Sequence, residues 1–231
     1  MDKTSRYAII VAGGVGSRSG DSFPKQFHDL GGHPMLWWTL KAFHDENPDT
    51  RLIVVMHADF IGYWKELVGT DCPPHTLTCG GTTRKDSVAA GLALIPESER
   101  GLVAVHDAAR PLVSSRLICD GWEQAEKHGG AVIPGVPVSD SLREGSPDSN
   151  RSVDRSRYFA VQTPQVFDIA LLKDAYSKAE AAKDTVFTDD ASVAEWAGNN
   201  IHIFEGDPIN IKVTYPGDFR IAADILLNKA T

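Results

Sequence analysis

Short apolar blocks alternate with amphipathic stretches along this chain. Residues 7–11, Tyr-Ala-Ile-Ile-Val, form a continuous run with the length and β-branched content of a buried strand. Residues 52–56 and 102–105 share that character, and 77–79, 131–134 and 201–204 are shorter strand candidates. Between them the apolar period changes to three or four. Met35, Leu36, Leu40 and Phe43 predict a helix that Pro34 is placed to start. Further helices are predicted over 60–68, from the Gly80-Gly81 pair through Leu94, and over 115–128. Residues 163–167 then return to the core, and 169–182 read as helix. Thr188-Asp189-Asp190-Ala191-Ser192 opens another helix, with Thr188 or Asp189 as its cap and Gly198 as its stop. Residues 210–213 read as a short strand carrying one lysine, and 215–218 start a last helix through Leu227. Strand and helix alternating in this way predict an α/β fold.

One stretch breaks the pattern. From Gly135 to about Asn150 the chain is rich in Pro, Ser, Gly and Asp. It reads either as a flexible loop or as a β-arm, because its flanks, 136–143 and 153–161, are strand-compatible. A two-stranded arm is only marginally stable alone, so an arm would need a partner surface, which points to a dimer.

Composition narrows the function. With 231 residues and 42% hydrophobic content, the chain can bury a full core as one α/β domain, with or without an appendage. The formal charge of −8 argues against general nucleic-acid binding. Cys72, Cys79 and Cys119 form no C-x-x-C pair, so neither a disulfide framework nor a zinc site is indicated. No apolar run approaches membrane-spanning length and the first residues lack a signal peptide's apolar stretch, so the cytoplasm is the default expectation.

The candidate chemistry lies where strand patterns end. After the first strand come Ala12, Gly13, Gly14 and Gly16, followed by Arg18 and Lys25. The glycines let amide N–H groups converge on an anion, and the two cations suit phosphate oxygens. The spacing excludes a Walker loop and a dinucleotide fingerprint. Gly80-Gly81 precedes a helix in which Ser87 is either a capping or first-turn hydroxyl or a base or sugar contact. The strand at 102–105 leads into His106-Asp107-Ala108-Ala109-Arg110-Pro111, at the carboxyl end where open α/β sheets bind ligands. Asp107 can there hold Mg²⁺, accept from a ribose hydroxyl, or cap the helix starting near Ser114 or Ser115. Arg110 can take a phosphate or pair with Asp107 to shape the loop.

These blocks resemble, over nearly the whole chain, the 2-C-methyl-D-erythritol 4-phosphate cytidylyltransferase family. The matching pieces are Ala12-Gly13-Gly14-x-Gly16-x-Arg18, Pro24-Lys25-Gln26 and Gly80-Gly81-x-x-Arg84-x-Asp86-Ser87-Val88. They continue with Val105 to Pro111, Val153-Asp154-Arg155, Thr163-Pro164-Gln165, Thr188 to Ser192 and Asn210-Ile211-Lys212-Val213-Thr214. The resemblance implies a mostly parallel, glycosyltransferase-A-like (Rossmann-like) nucleotidyltransferase fold: one domain over 1–231, with a β-arm at about 136–161 that builds a homodimer. It implies transfer of CMP from CTP to 2-C-methyl-D-erythritol 4-phosphate, releasing pyrophosphate, with Mg²⁺ as the divalent cation. By similarity, Ala12, Gly13, Gly14, Gly81, Ser87 and Ala108 contact the nucleotide, and Arg18 and Lys25 bind its phosphates. Asp107, Arg110, Ser141, Arg155, Thr188 and Lys212 surround the sugar phosphate, and Asp107 also the metal. Ser141 and Arg155 come from the partner's arm. Arg18, Lys25, Arg155 and Lys212 are the catalytic cations.

This chain departs from the family's common pattern at Gly13, Ser19 and Thr82, and has Ser141 for threonine and Asp190 for glutamate. The nearest alternative is a ribitol 5-phosphate cytidylyltransferase, from which Ala109, Asp154-Arg155 and the 188–192 block differ. A non-catalytic nucleotide-binding protein of the same fold is the alternative from another class.

Overall fold

The computed structural model describes residues 4–13, 24–182 and 185–229. The expectations for Gly14, Gly16, Arg18 and Ser19 lie outside the described residues. The first strand, β1 (Ser5–Ala12), is followed by a 3₁₀ turn at Lys25–Phe27 and the two-residue strands β2 (Asp29–Leu30) and β3 (His33–Pro34). Next come α1 (Met35–Glu46), β4 (Arg51–Met56), α2 (Ala58–Leu67), β5 (Thr76–Cys79), α3 (Arg84–Leu92) and β6 (Gly101–Asp107). Helix α4 (Ser115–Lys127) leads to β7 (Ala131–Pro137) and to the arm strands β8 (Arg143–Gly145), β9 (Asn150–Ser152) and β10 (Phe159–Val161). The chain closes with β11 (Gln165–Asp168), α5 (Ile169–Glu180), α6 (Asp190–Trp196), β12 (His202–Glu205) and α7 (Pro216–Lys229).

The main sheet runs β7–β11–β6–β1–β4–β5, with β10 and β12 both joined to β7. β1 pairs parallel with β6 and β4, β4 with β5, and β12 with β7. Within this sheet only the pairs made by β10 and β11 are antiparallel. Side chains of the central strands alternate between two cores, as the period of two requires. Ala8, Ile10 and Ala12 join Val54 and Met56 against Leu36, Leu40, Phe43, Ile118 and Trp122 of α1 and α4. Tyr7 and Ile9 join Ile53, Val55, Val103 and Val105 against Val88 of α3, Leu172 of α5 and Val193 of α6. Helix α7 packs separately, with Ala222 and Leu226 on Leu30, Met35, Ala109, Leu112 and Val213.

Several sequence expectations change. β6 continues through His106 and Asp107, because β1 pairs with it as far as Val11 opposite Asp107. Helices α3 and α5 stop at Leu92 and Glu180, each two residues early. Residues 210–213 form no strand. They are held instead by single contacts: Val213 N–H donates to Ala109 O of the β6 loop at 2.8 Å, and the Asn210 side chain donates through Nδ2 to Thr163 O, just before β11, at 2.9 Å. Ser114, not Asp107, caps α4 by accepting from Leu117 N–H at 3.2 Å.

The Pro- and Ser-rich stretch is an arm with a small antiparallel hairpin, β8 on β9, and its return limb is β10 on β7. Nearly every residue from 139 to 161 is exposed, so the hairpin adds little to the core. Stability should therefore be partitioned sharply. Ile9→Ala, at a fully buried position, should lower unfolding free energy by about 2–5 kcal/mol. Arg151→Ala, which removes an exposed 2.6 Å pair with Glu144, should cost less than about 1 kcal/mol. Urea denaturation of both variants checks the contrast.

Candidate active site at the carboxyl ends of the central strands

Parallel pairing brings the carboxyl ends of β1, β4, β5 and β6 to one edge, so Ala12, Cys79 and Asp107 end their strands on the same side. The glycines at this edge permit close approach. A Cβ at Gly80 would lie 2.7 Å from Ser87 Oγ, and one at Gly81 would lie 2.3 Å from Asp86 Cβ. Gly13 faces the same hydroxyl, since its Cβ would lie 3.5 Å from Ser87 Oγ. Thr83 caps α3 in a capping box with Asp86, so Ser87 is not the cap; its hydroxyl donates to Thr83 O at 3.0 Å. Ala108 follows Asp107 and donates its N–H to Val11 O at 3.1 Å, holding the start of the β6 loop against β1.

Residues distant in sequence meet beside this edge. Gln26 Nε2 donates to Ala12 O at 2.7 Å, fastening the Pro24-Lys25-Gln26 turn to the end of β1. Lys25 Nζ donates to Val213 O at 2.7 Å, one residue from Lys212. Lys212 Nζ in turn donates to Asp107 Oδ2 at 2.6 Å. A cleft of about 210 Å³ opens here, lined by Asp107, Arg110, Lys212 and Thr188 of the expected set, and by Arg84 and Asp189 among others. Arg110 donates to Asn210 O at 2.8 Å, so its guanidinium is aimed along the cleft wall by the segment that carries Lys212. Ser141 and Arg155 are not among the lining residues. Both stand exposed on the arm, and Arg155 donates to Ser139 O there.

The electrostatics of the cleft centre on Asp107. Burial would raise its carboxyl, but Arg84 and Lys212, with Arg110 behind them, hold it well below the usual carboxylate range. Arg84 Nε lies 3.4 Å from Asp107 Oδ1, and its Nη2 lies 2.7 Å from Asp190 Oδ2. Asp190 is fully buried and also accepts from Tyr176 OH at 2.6 Å. Burial would lower the Arg84 guanidinium, and the charges of Asp190 and Asp107 more than reverse this.

A family model described as 2-C-methyl-D-erythritol 4-phosphate cytidylyltransferase matches residues 7–228. The chain belongs to that family. A relative of that name from Bacteroides thetaiotaomicron is 43% identical over 220 residues, 94% of this chain and 98% of that one. The crystal structure of 2-C-methyl-D-erythritol 4-phosphate cytidylyltransferase from Thermus thermophilus superposes with a TM-score of 0.78 at 30% identity, covering 95% and 98% of the two chains. That of 4-diphosphocytidyl-2C-methyl-D-erythritol synthase from Anaerococcus prevotii gives 0.82 at 26% identity, covering 97% and 99%. The nucleotidyltransferase fold and the cytidylyltransferase activity in isoprenoid biosynthesis follow from membership. The ribitol and non-catalytic alternatives are set aside.

For a cytidylyltransferase of this family, sequence reasoning assigned no task to Arg84, Thr163, Gln165, Tyr176, Asp190 or Asn210. Five of the six lie inside the quoted blocks, so the signal was their position beside assigned residues. Tyr176 gave none. Thr163 Oγ1 accepts from Asp107 N–H at 3.1 Å and lies 3.1 Å from His106 Nδ1, while His106 Nε2 lies 3.2 Å from Arg110 O. The imidazole is thus braced between the far end of the Asp107 loop and Thr163, on the approach to β11. Burial pushes it from 6.5 down to about 4, with the Asp107 charge opposing.

An unfolded chain takes up this proton near pH 6.5 and the folded chain only near pH 4, so the His106 contribution is complete above 6.5 and lost as pH falls. Between pH 7 and 4.5 this group alone should remove about 2–3 kcal/mol of unfolding free energy. Urea titrations over that interval should show a correspondingly flatter profile for His106→Gln, and an unchanged slope would exclude His106 as the source.

Proposed function

We propose that the glycine-lined edge formed by Ala12, Gly13, Gly81, Ser87 and Ala108 takes CTP, and that the adjoining cleft takes 2-C-methyl-D-erythritol 4-phosphate. Asp107, Arg110, Thr188 and Lys212 bind the sugar phosphate; Arg18 and Lys25 bind the triphosphate. The observation that carries this reading is the contact of Lys25 with the Val213 carbonyl, beside the Lys212–Asp107 pair. It supports the reading because Lys25, expected for the triphosphate, is tied to the residue that follows Lys212, expected for the sugar phosphate.

In the reaction an oxygen of the sugar phosphate forms a bond to the α-phosphorus of CTP, and the bond from that phosphorus to the β-bridging oxygen breaks. The nucleophile is already anionic, so no side chain need remove a proton. The chain's task is to bring two polyanions together and to stabilise charge on the α-phosphoryl group and departing pyrophosphate. Lys25 and Lys212 are held in place by acceptors of the protein itself, which preorganises them.

Among the described residues no group of three or more His, Cys, Asp or Glu side chains is placed to hold a metal ion. Both oxygens of Asp107 already face cations. A Mg²⁺ bound here would therefore be carried by the triphosphate itself, with Asp107 as the carboxylate bordering it. Such an ion would neutralise phosphate charge when bound.

Ser141 and Arg155 reach a site from the arm of a second copy. The exposed Tyr158, Phe159 and Val161 on the arm's return limb supply an apolar surface for that copy to cover. No helix among the described residues is long and apolar enough to cross a membrane.

Pyrophosphate release from CTP and 2-C-methyl-D-erythritol 4-phosphate tests the assignment: Lys25→Ala should lower kcat by about 10²-fold or more, the scale of losing one preorganised donor. Near-normal turnover would remove Lys25 from catalysis. For the arm, Lys212→Ala and Arg155→Ala should each be inactive alone. Refolded together at equal amounts, they should regain about a quarter of parental activity, because half the dimers then hold one intact site. No recovery would mean that Arg155 serves its own chain.

A further inference from the structure

We propose that Arg84 is a positioning residue of this site: anchored from the core by Asp190, it fixes Asp107 so that Asp107 sets the place of Lys212. The inference rests on the reading of Asp107 and Lys212 given above, and assigns a task to residues outside that set.

Four side chains alternate in charge: Lys212, Asp107, Arg84 and Asp190, with contacts of 2.6, 3.4 and 2.7 Å along the chain. The lengths are unequal in an informative way. Arg84 is held closely by Asp190, which is fully buried, and more loosely by Asp107, whose side chain is 12% exposed. The guanidinium is therefore fixed from the core and acts as an abutment for the carboxylate nearer the cleft. Its planar fork can face two carboxylates at once, which a lysine's point charge cannot do with the same geometry. With Oδ1 of Asp107 facing Arg84, Oδ2 is left to receive Lys212.

The anchor is itself rigid. Gln165 Oε1 accepts from the N–H groups of Asp190 and Ala191 at 3.1 and 2.9 Å, and Gln165 Nε2 donates to Asp189 Oδ2 at 2.8 Å. Tyr176 OH engages the remaining oxygen of Asp190. Two residues before Gln165, Thr163 receives the Asp107 N–H. The start of β11 thus locates both the backbone of Asp107 and the base of the ion chain that aims its side chain. Arg84 is engaged by two carboxylates, which distinguishes it from a cation left open for substrate.

The decisive variant is Arg84→Met/Asp190→Asn, which removes both charges, keeps an acceptor for Tyr176, and leaves no buried charge unpaired. Replacing a buried pair by neutral groups of similar shape is often tolerated by the fold. A pair that served structure alone would then leave kinetics unchanged. We expect a folded enzyme with a near-parental melting temperature, in which kcat/KM for the sugar phosphate falls by about 10- to 100-fold and KM for CTP moves by less than about 3-fold. Should the double variant not fold, Asp190→Asn alone is read by the same ratio of effects. Lys212→Ala is measured alongside. Parental kcat/KM for the sugar phosphate in the Arg84/Asp190 variants, with Lys212→Ala impaired, would overturn the positioning role alone. An equal loss toward CTP would also overturn it. If Lys212→Ala too behaved as parent, the reading of Asp107 and Lys212 would fall, and the proposal with it.

Discussion

A carboxylate buried at the end of a parallel strand must be matched by charge, and that requirement organises this protein around Asp107. An isolated ionised group in such a place would be neutralised by a shifted pKa, so its existence as an anion depends on the cations around it. Here the compensation comes from three separate parts of the chain: Arg84 from α3, Arg110 from the β6 loop and Lys212 from the segment before α7. Asp190 balances Arg84 in turn, from the start of α6. Four elements that share no local sequence are thereby tied to one edge of the sheet.

The same edge is shaped by absence of side chains. Gly80 and Gly81 leave no room for a Cβ beside Ser87 and Asp86, so the backbone after β5 lies directly on the first turn of α3. One side of the site is consequently backbone and hydroxyl, and the other side is charged. Such a division suits a reaction with one nucleotide and one small phosphate, where little covalent help is needed from the protein and the placement of charge dominates.

The arm follows a different logic. Its hairpin packs on no core, and its return limb leaves Tyr158, Phe159 and Val161 exposed. Within a single chain this surface is unexplained by folding, whereas the body of the protein, with two cores sandwiching one sheet, is self-sufficient. The segment's odd composition is the sequence trace of that difference.

Strands and helices of the body were legible in the sequence because each depends on local periodicity and on a few caps and stops. The order of motif blocks was enough to indicate the family, since those blocks sit at strand ends where chemistry collects. Residues 210–213 were misread as a strand because they are held by single contacts to neighbouring segments and not by a ladder. Asp107 was offered a capping role that a neighbouring serine performs. The pairings of Lys25 with the Val213 carbonyl, of Lys212 with Asp107, and of Arg84 with Asp190 span between 105 and 188 positions of chain. No local pattern encodes such a contact. The sequence by itself determined which residues are available and on which elements they ride. Tertiary structure alone decided which charges face one another, because a buried ion's partner is chosen by where the packed elements place it in a low-dielectric interior.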